Sequence, residues 1–265
     1  VTADGGKLSG WALILGASSG FGAATSRALA QAGMNIVGVH LDFKKTLPLA
    51  QAVQADIEAA GRKAIFVNMN AADDEKRQAL LVRLKEEGVS VRVLVHSLAF
   101  GSLRPMVADT PDESLTRKQI EMTLDVMASS LVYWVQDLVW QGVFADDARI
   151  FAMTSEGSHR ALLAYGAVGG AKALLEAYIR QLAVELAPRN IKCNAIQAGV
   201  TDTPALRLIP GHEEAIALTL RRNPYRRLTT PEDVAKTIVA FSAPELAWMT
   251  GNVIRVDGGE DVAVG

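Results

Sequence analysis

The sequence predicts an α/β fold: one domain in which helices cover both faces of a parallel sheet. Three observations carry this. Short runs rich in Val and Ile alternate with longer stretches of helical periodicity, as in successive βαβ units. A glycine-rich turn separates the first such run from the first helical stretch. The 265 residues, 49% hydrophobic and 21% charged, are ordinary for a soluble chain with a sizeable core, and no linker, repeat or low-complexity tract divides them.

Seven runs qualify as strands: WALIL from Trp11, NIVGV from Asn35, AIFV from Ala64, VRVLVH from Val91, RIFAMT from Arg149, IKCNAI from Ile191 and NVIRV from Asn252. Between the fourth and fifth, Ile120, Leu124, Met127, Leu131, Val135 and Leu138 recur at three- and four-residue steps, the apolar stripe of one long helix. A second long helix carries Ala171, Leu175, Tyr178, Leu182 and Leu186. Asp73 or Asp74 can cap the helix through EKRQALLVRLKEEG, and TTPED offers Thr230 as a cap, Pro231 at the first helical position and Asp233 as the capping-box acid. The least regular part, about 199–230, holds prolines at 204, 210 and 224 and reads as a mobile substrate loop with a short helix inside it.

A formal net charge of −2 gives no electrostatic case for nucleic acid or an anionic membrane surface, and both partners are set aside. No window reaches the apolar length of a transmembrane helix, and VTADGGKLSG lacks the apolar centre of a leader. Cys193 is the only cysteine and lies in an apolar strand, where an inert buried thiol is expected. These features point to a cytoplasmic protein, and no residue pattern suggests a metal site.

LILGASSGFGAA places Gly16, Gly20 and Gly22 as G-x-x-x-G-x-G between the first strand and the first helix. Glycines there let the backbone approach a pyrophosphate whose charge sits on the free N–H groups of a helix N-terminus. Ser18 and Ser19 add hydroxyl donors, and Phe21 completes the turn. At the end of the second strand, VGVHLDFKK puts His40 where an acid would select the adenosine ribose diol, with Lys44 and Lys45 shortly after. That favours NADPH. The other reading makes Asp42 the selecting acid, so NADH is kept open.

The glycine turn, a Tyr/Lys pair in YGAVGGAK and VDGG at Val256–Gly259 resemble the short-chain dehydrogenase/reductase superfamily over almost the whole chain. The resemblance implies a Rossmann-like, doubly wound, seven-stranded parallel sheet, a nicotinamide cofactor and a homotetramer built on the two long helices. Ordinary members carry Y-x-x-x-K, but four residues before Lys172 this chain has Val168, and its tyrosine, Tyr165, gives Y-x6-K. On a helix both steps return to the lysine's face, while the reach along the axis grows from about 6 Å to about 10.5 Å. Met127 occupies the position of an Asn that holds a relay water in ordinary members, and HSLAFG from His96 replaces N-N-A-G. All three departures resemble the enoyl-acyl-carrier-protein reductase branch. Ser155, seventeen residues before Lys172, stands at the catalytic serine of ordinary members, a feature of NADPH-using enoyl reductases with an ordinary glycine motif.

The resemblance implies reduction of a trans-2-enoyl thioester on acyl carrier protein or CoA, in fatty-acid biosynthesis. Tyr165 would stabilise the enolate oxygen, Lys172 would hold the nicotinamide ribose, and Ser155 would add a polar contact. Hydride delivered to the β-carbon puts negative charge two carbons away, on the thioester oxygen, which suits a tyrosine set back along the helix. Asn70 and Ala71 are expected near the adenine, Ser97 and Leu98 beside the cofactor, and Thr201 and Thr203 at the carboxamide. Phe100, Gly101, Leu103, Leu162, Leu206 and Ile209 are candidate walls for the acyl chain, and Arg221, Arg222, Arg226 and Arg227 a candidate patch for an acidic carrier. The alternatives are a carbonyl reductase or alcohol dehydrogenase of the same fold, or a non-catalytic NADP-sensing protein.

Overall fold

Strand β1 (Trp11–Leu15) is buried along almost its whole length, as expected of a central parallel strand covered on both faces. It lies between β2 (Asn35–His40) and β4 (Val91–His96), pairing Leu15 with Val39 on one side and with His96 on the other. β3 (Ala64–Asn68) extends the sheet beyond β2; β5 (Phe144–Thr154), β6 (Lys192–Ala198) and β7 (Val253–Val256) extend it beyond β4. The order is β3-β2-β1-β4-β5-β6-β7 with every pairing parallel. The structure, a computed structural model, describes residues 8–263. Most of the stretch assessed for a leader, residues 1–7, lies outside them.

Helices bury two separate apolar layers, one per face, which is the doubly wound arrangement. On one face α3 (Asp74–Glu86), α5 (Ser130–Trp140) and α6 (Gly166–Glu185) pack Leu80, Leu84, Leu131, Trp134, Leu175 and Ile179 against the sheet. On the other, α1 (Gly20–Gln31), α2 (Leu47–Ala59) and α8 (Pro231–Phe241) contribute Leu29, Val53, Ile57, Val234 and Ile238. Asp73 caps α3 by accepting from the Lys76 N–H at 3.1 Å. Thr230 and Asp233 form a reciprocal capping box on α8, behind Pro231.

The chain differs from the sequence expectation in three places, and inside 199–230 it gives the expected short helix definite bounds. The long helix expected from Ile120 to Leu138 is α4 (Arg117–Leu124), a π-helical turn at Asp125–Ser129 and then α5. β5 starts at Phe144, ahead of the expected Arg149. The segment 199–230 contains a 3₁₀ turn at Leu206–Leu208 and an eleven-residue helix, α7 (His212–Arg222). Finally, α6 begins at Gly166, so Tyr165 is its N-cap rather than a helical residue.

The strand order reverses between β1 and β4, and ligands of open α/β sheets bind at such a switch point, beyond the carboxyl ends of the strands. The Gly16 turn, the Ser97 segment, Ser155 and Gly199 all follow strand ends on that edge.

Candidate active site

Gly16 takes φ +91°, a conformation that favours glycine, and its N–H bonds the Val39 carbonyl at 2.9 Å. A Cβ on Gly16 would lie 2.3 Å from the Ser97 carbonyl oxygen, and one on Gly22 would lie 2.0 Å from the carbonyl oxygen of Gly16. The turn therefore closes on itself and on the end of β4, leaving the N-terminus of α1, with no acid in its first turn, open toward the strand ends. Thr203 faces it, its methyl 3.7 Å from the Cβ position of Gly20. Such a cradle of N–H groups, glycines and hydroxyls fits a dinucleotide pyrophosphate.

His40 is buried, and its Nδ1 lies 2.8 Å from the Asp42 carboxylate. Asn68 fastens Asp42 from both sides, accepting from its N–H at 2.9 Å and donating to its carbonyl at 2.8 Å. Burial pushes the Asp42 carboxyl up, but hydrogen bonds from Thr46, Ser18 and His40 outweigh it, and the group stays ionised. A negative charge thus stands beside Ser18 of the glycine turn, while Lys44 and Lys45 are exposed. Asn70 is exposed and accepts from the Ala72 N–H at 3.0 Å; Ala71 is buried, its carbonyl held by Trp134 Nε1 at 2.8 Å.

Ser155 Oγ and Tyr165 Oη stand 3.5 Å apart. Their approach is set by local turns rather than by helical phase. Ala164 has φ +58°, and Tyr165 caps α6 at φ −102°, ψ 3°, so the tyrosine's direction comes from the bend before the helix. Ser155 precedes a single 3₁₀ turn, Glu156–Ser158, that lies against the tyrosine: a Cβ on Gly157 would come within 2.5 Å of the ring. Burial pushes the phenol above its ordinary value, with the Ser155 bond pulling the other way and the Glu156 charge adding to the push. The tyrosine is therefore a protonated donor at neutral pH.

Lys172, also buried, donates to the Met153 carbonyl at 2.6 Å, and burial holds its ammonium down at about 8, with Glu176 opposing. Nearby, His96 is fully buried and lies 2.9 Å from Ser130 Oγ, which donates to the Val126 carbonyl of the π turn at 2.8 Å. Because that hydroxyl has spent its proton, His96 Nε2 carries the ring hydrogen, and Nδ1 has no partner among the described residues. Burial first, then the Lys172 charge, lowers the imidazole to about 3.

Val168 and Met127, which replace the tyrosine and asparagine of ordinary members, are both buried and converge on Gly101. A Cβ there would meet Thr123, Met127 and Val168 side chains at 2.7, 2.9 and 2.9 Å. Apolar atoms of these side chains therefore close around Gly101. Of the other wall candidates, Leu103 packs on the core, Leu206 and Ile209 are half-buried, and Phe100 and Leu162 are exposed. Thr201 is buried and bonds the Gly199 carbonyl at 2.9 Å; Thr203 accepts from the Leu206 N–H at 3.2 Å. Met106 packs over Gly166, beside Tyr165, a neighbour that sequence spacing gave no signal for. Of the arginine patch, Arg221 and Arg226 are exposed, while Arg222 and Arg227 pair with acids. Arg227 pairs with Asp233 at 2.6 Å, Arg226 donates to the Arg221 carbonyl, and Arg222 turns inward to Glu156 and Glu260. Cys193 is buried, its thiol pushed up to about 12, and no cluster of metal-ligating side chains occurs among the described residues. No helix among them is long and apolar enough to cross a membrane.

Fold and site define a dinucleotide-binding oxidoreductase of the short-chain dehydrogenase/reductase superfamily. Residues 16–260 match the family model described as Enoyl-(Acyl carrier protein) reductase, and the chain belongs to that family. It is 29% identical over 260 residues to the 1-cyclohexenylcarbonyl-CoA reductase of Streptomyces collinus, covering 97% of this chain and 88% of that one. With the enoyl-acyl-carrier-protein reductase (NADH) FabI of Enterococcus faecalis it shares 30% identity over 207 residues, 77% of this chain and 80% of the relative. In fold it is similar to the enoyl-acyl-carrier-protein reductase (NADH) structure from Aquifex aeolicus, with a TM-score of 0.85 at 24% identity over 97% of this chain and 98% of the other.

Proposed function

We propose that the protein reduces the C=C bond of a 2-enoyl thioester. The observation that carries this is that hydroxyls converge at Ser155 and Tyr165, while Val168 and Met127, which stand at the sequence positions of the ordinary tyrosine and asparagine, pack their apolar atoms around Gly101. A bound nicotinamide dinucleotide supplies the hydride. The chain's part is to hold the thioester carbonyl near Tyr165, whose O–H donates to the oxygen as enolate charge develops there. Ser155 orients that phenol, and Lys172, a buried cation of α6, would hold the nicotinamide ribose hydroxyls. Thr201 and Thr203 close the cofactor side, and Leu103, Leu206 and Ile209 offer the acyl chain its apolar contacts.

His40, Lys44 and Lys45 favoured NADPH in the sequence; the placement of Asp42 supports NADH instead. Its carboxylate, fixed beside Ser18 by His40 and Asn68, suits a ribose diol and repels a 2′-phosphate. The E. faecalis relative, named for NADH, agrees with this choice. The carrier is acyl carrier protein or CoA, and the S. collinus relative's name makes CoA the first arm to test. Exposed Tyr133 and Trp140 on α5 and Val184 on α6 support a homotetramer built on these helices. The deciding assay is nucleotide oxidation with crotonyl and acetoacetyl thioesters, on CoA and on acyl carrier protein, each with NADH and NADPH. Crotonyl-only turnover is expected, and Tyr165→Phe should lower kcat by about 10²-fold while leaving nucleotide affinity unchanged. Acetoacetyl-only turnover would replace this reading with a carbonyl reductase.

A further inference from the structure

Arg222 ends α7, yet its side chain leaves the surface and passes under the 3₁₀ turn that follows Ser155. One nitrogen, Nη2, donates to Glu156 Oε2 at 2.7 Å and to Glu260 Oε1 at 3.0 Å. Glu260 is almost wholly buried. Its Oε1 also accepts from Thr219 of α7 at 3.3 Å, and its Oε2 from the Val200 N–H at 3.3 Å, one residue before Thr201. On the other side, Glu156 belongs to the turn whose Gly157 lies against the Tyr165 ring, and Gly169 of α6 leaves no room to retreat, since a Cβ there would be 2.6 Å from the Gly157 carbonyl oxygen. Among the described residues Arg160 is the only other cation paired with Glu156, at 3.6 Å, and its guanidinium is committed to Asp261 at 2.9 Å. One guanidinium therefore joins three parts: the helix of the 199–230 segment, the cofactor-side turn at Val200, and the turn that aligns Ser155 with Tyr165.

The electrostatics give the joint a direction. Burial above all, and then the Glu156 charge, push the Glu260 carboxyl above its ordinary range, while Val200 and Arg222 pull it back. Without the guanidinium two carboxylates face each other in a partly buried space, and the mobile partner is the short Glu156 turn rather than the packed C-terminal acid.

We propose that Arg222 is a positioning residue for catalysis, clamping the Glu156 turn so that Ser155 and Tyr165 stay aligned when the substrate segment 199–230 is seated. This rests on the enoyl reductase reading for its kinetic readout and on geometry alone for its structural one. Arg222→Met should lower kcat about tenfold with nucleotide Kd unchanged, and Arg222→Lys should recover part of the loss. Adding Glu156→Gln to Arg222→Met should cost no more than Arg222→Met alone, since the two act through one contact. Arg77→Met, which breaks a buried ion pair to Asp137 on the α3–α5 side, supplies the comparison: a lower Tm with kcat kept. Hydrogen exchange needs no substrate, and amides of 155–165 should exchange faster in Arg222→Met, with those of 16–22 unchanged. Unaltered exchange at 155–165, or additive losses in the double variant, overturns the clamp. An inactive wild type whose Arg222→Met form still shows the exchange change sinks the enoyl reading and keeps the clamp. Should Arg222→Met not fold, Glu156→Gln carries the same two readouts.

Discussion

At position 168 a valine packs where the four-residue step to Lys172 would place a tyrosine, and three residues earlier Tyr165 presents the hydroxyl instead. The candidates Tyr165, Lys172 and Ser155 stand out in the sequence because each is a chemical type at a fixed count from the others, and the fold brings Ser155 to Tyr165. The direction of the phenol was not, since it depends on Ala164 at positive φ and on a turn packed against the ring. In the sequence Arg222 is one of four arginines of a candidate carrier patch, because sequence does not show which arginine of RRNPYRR turns inward. Asp42 yields a prediction at this scale. Asp42→Ala removes the fixed charge beside Ser18 and should raise the NADPH/NADH ratio of kcat/KM by about tenfold. An unchanged ratio would show that the carboxylate does not select the nucleotide. Lys172 gives a second. With its ammonium held at about 8 by burial, nucleotide affinity should decline as pH rises through that value, and Lys172→Met should bind weakly with no such limb. Titration of Kd between pH 6 and 10 separates the two.

Elements were legible where one periodicity runs uninterrupted. All seven strands, β5 with an earlier start, and the caps of α3 and α8 lie where apolar runs and side-chain chemistry put them. The π turn at Asp125–Ser129 escaped notice because Leu124, Met127 and Leu131 keep apolar spacing through it. What marks it is a tertiary contact: Ser130 takes the Val126 carbonyl and receives His96 from the sheet. The Thr116–Gln119 capping box on α4 was equally present in the sequence and follows the same rule as the one on α8. The glycine turn is the element with the least tolerance. Gly22→Ala would force a methyl to within 2.0 Å of a backbone carbonyl that nothing flexible can move, so nucleotide affinity should fall by at least about tenfold while the far-UV spectrum is kept. Tight nucleotide binding by that variant would mean the turn has another arrangement.

Across the whole molecule, the sheet brings chemistry from distant segments to one edge: the ends of β1, β4, β5 and β6 deliver Gly16, Ser97, Ser155 and Gly199. It also buries His96 with Lys172 near it, and this makes stability depend on acid. The folded imidazole titrates at about 3 against about 6.5 unfolded, so the unfolded chain binds the extra proton between those values. Its contribution is complete above about pH 6.5 and is lost progressively as pH falls toward 3. Tm should therefore drop more steeply from pH 6.5 to 4 in the wild type than in His96→Asn; parallel curves would place the acid sensitivity elsewhere. By itself the sequence determined the parallel α/β class, the places of the seven strands, the glycine turn and the candidates Ser155, Tyr165 and Lys172, because periodicity and short fixed spacings are local properties of the chain. Only the tertiary structure decided that Val168 and Met127 close on Gly101, that Asp42 stands by the glycine turn, and that Arg222 reaches Glu156 and Glu260. Those contacts join residues far apart along the chain, and which side chains meet is fixed by how the layers pack.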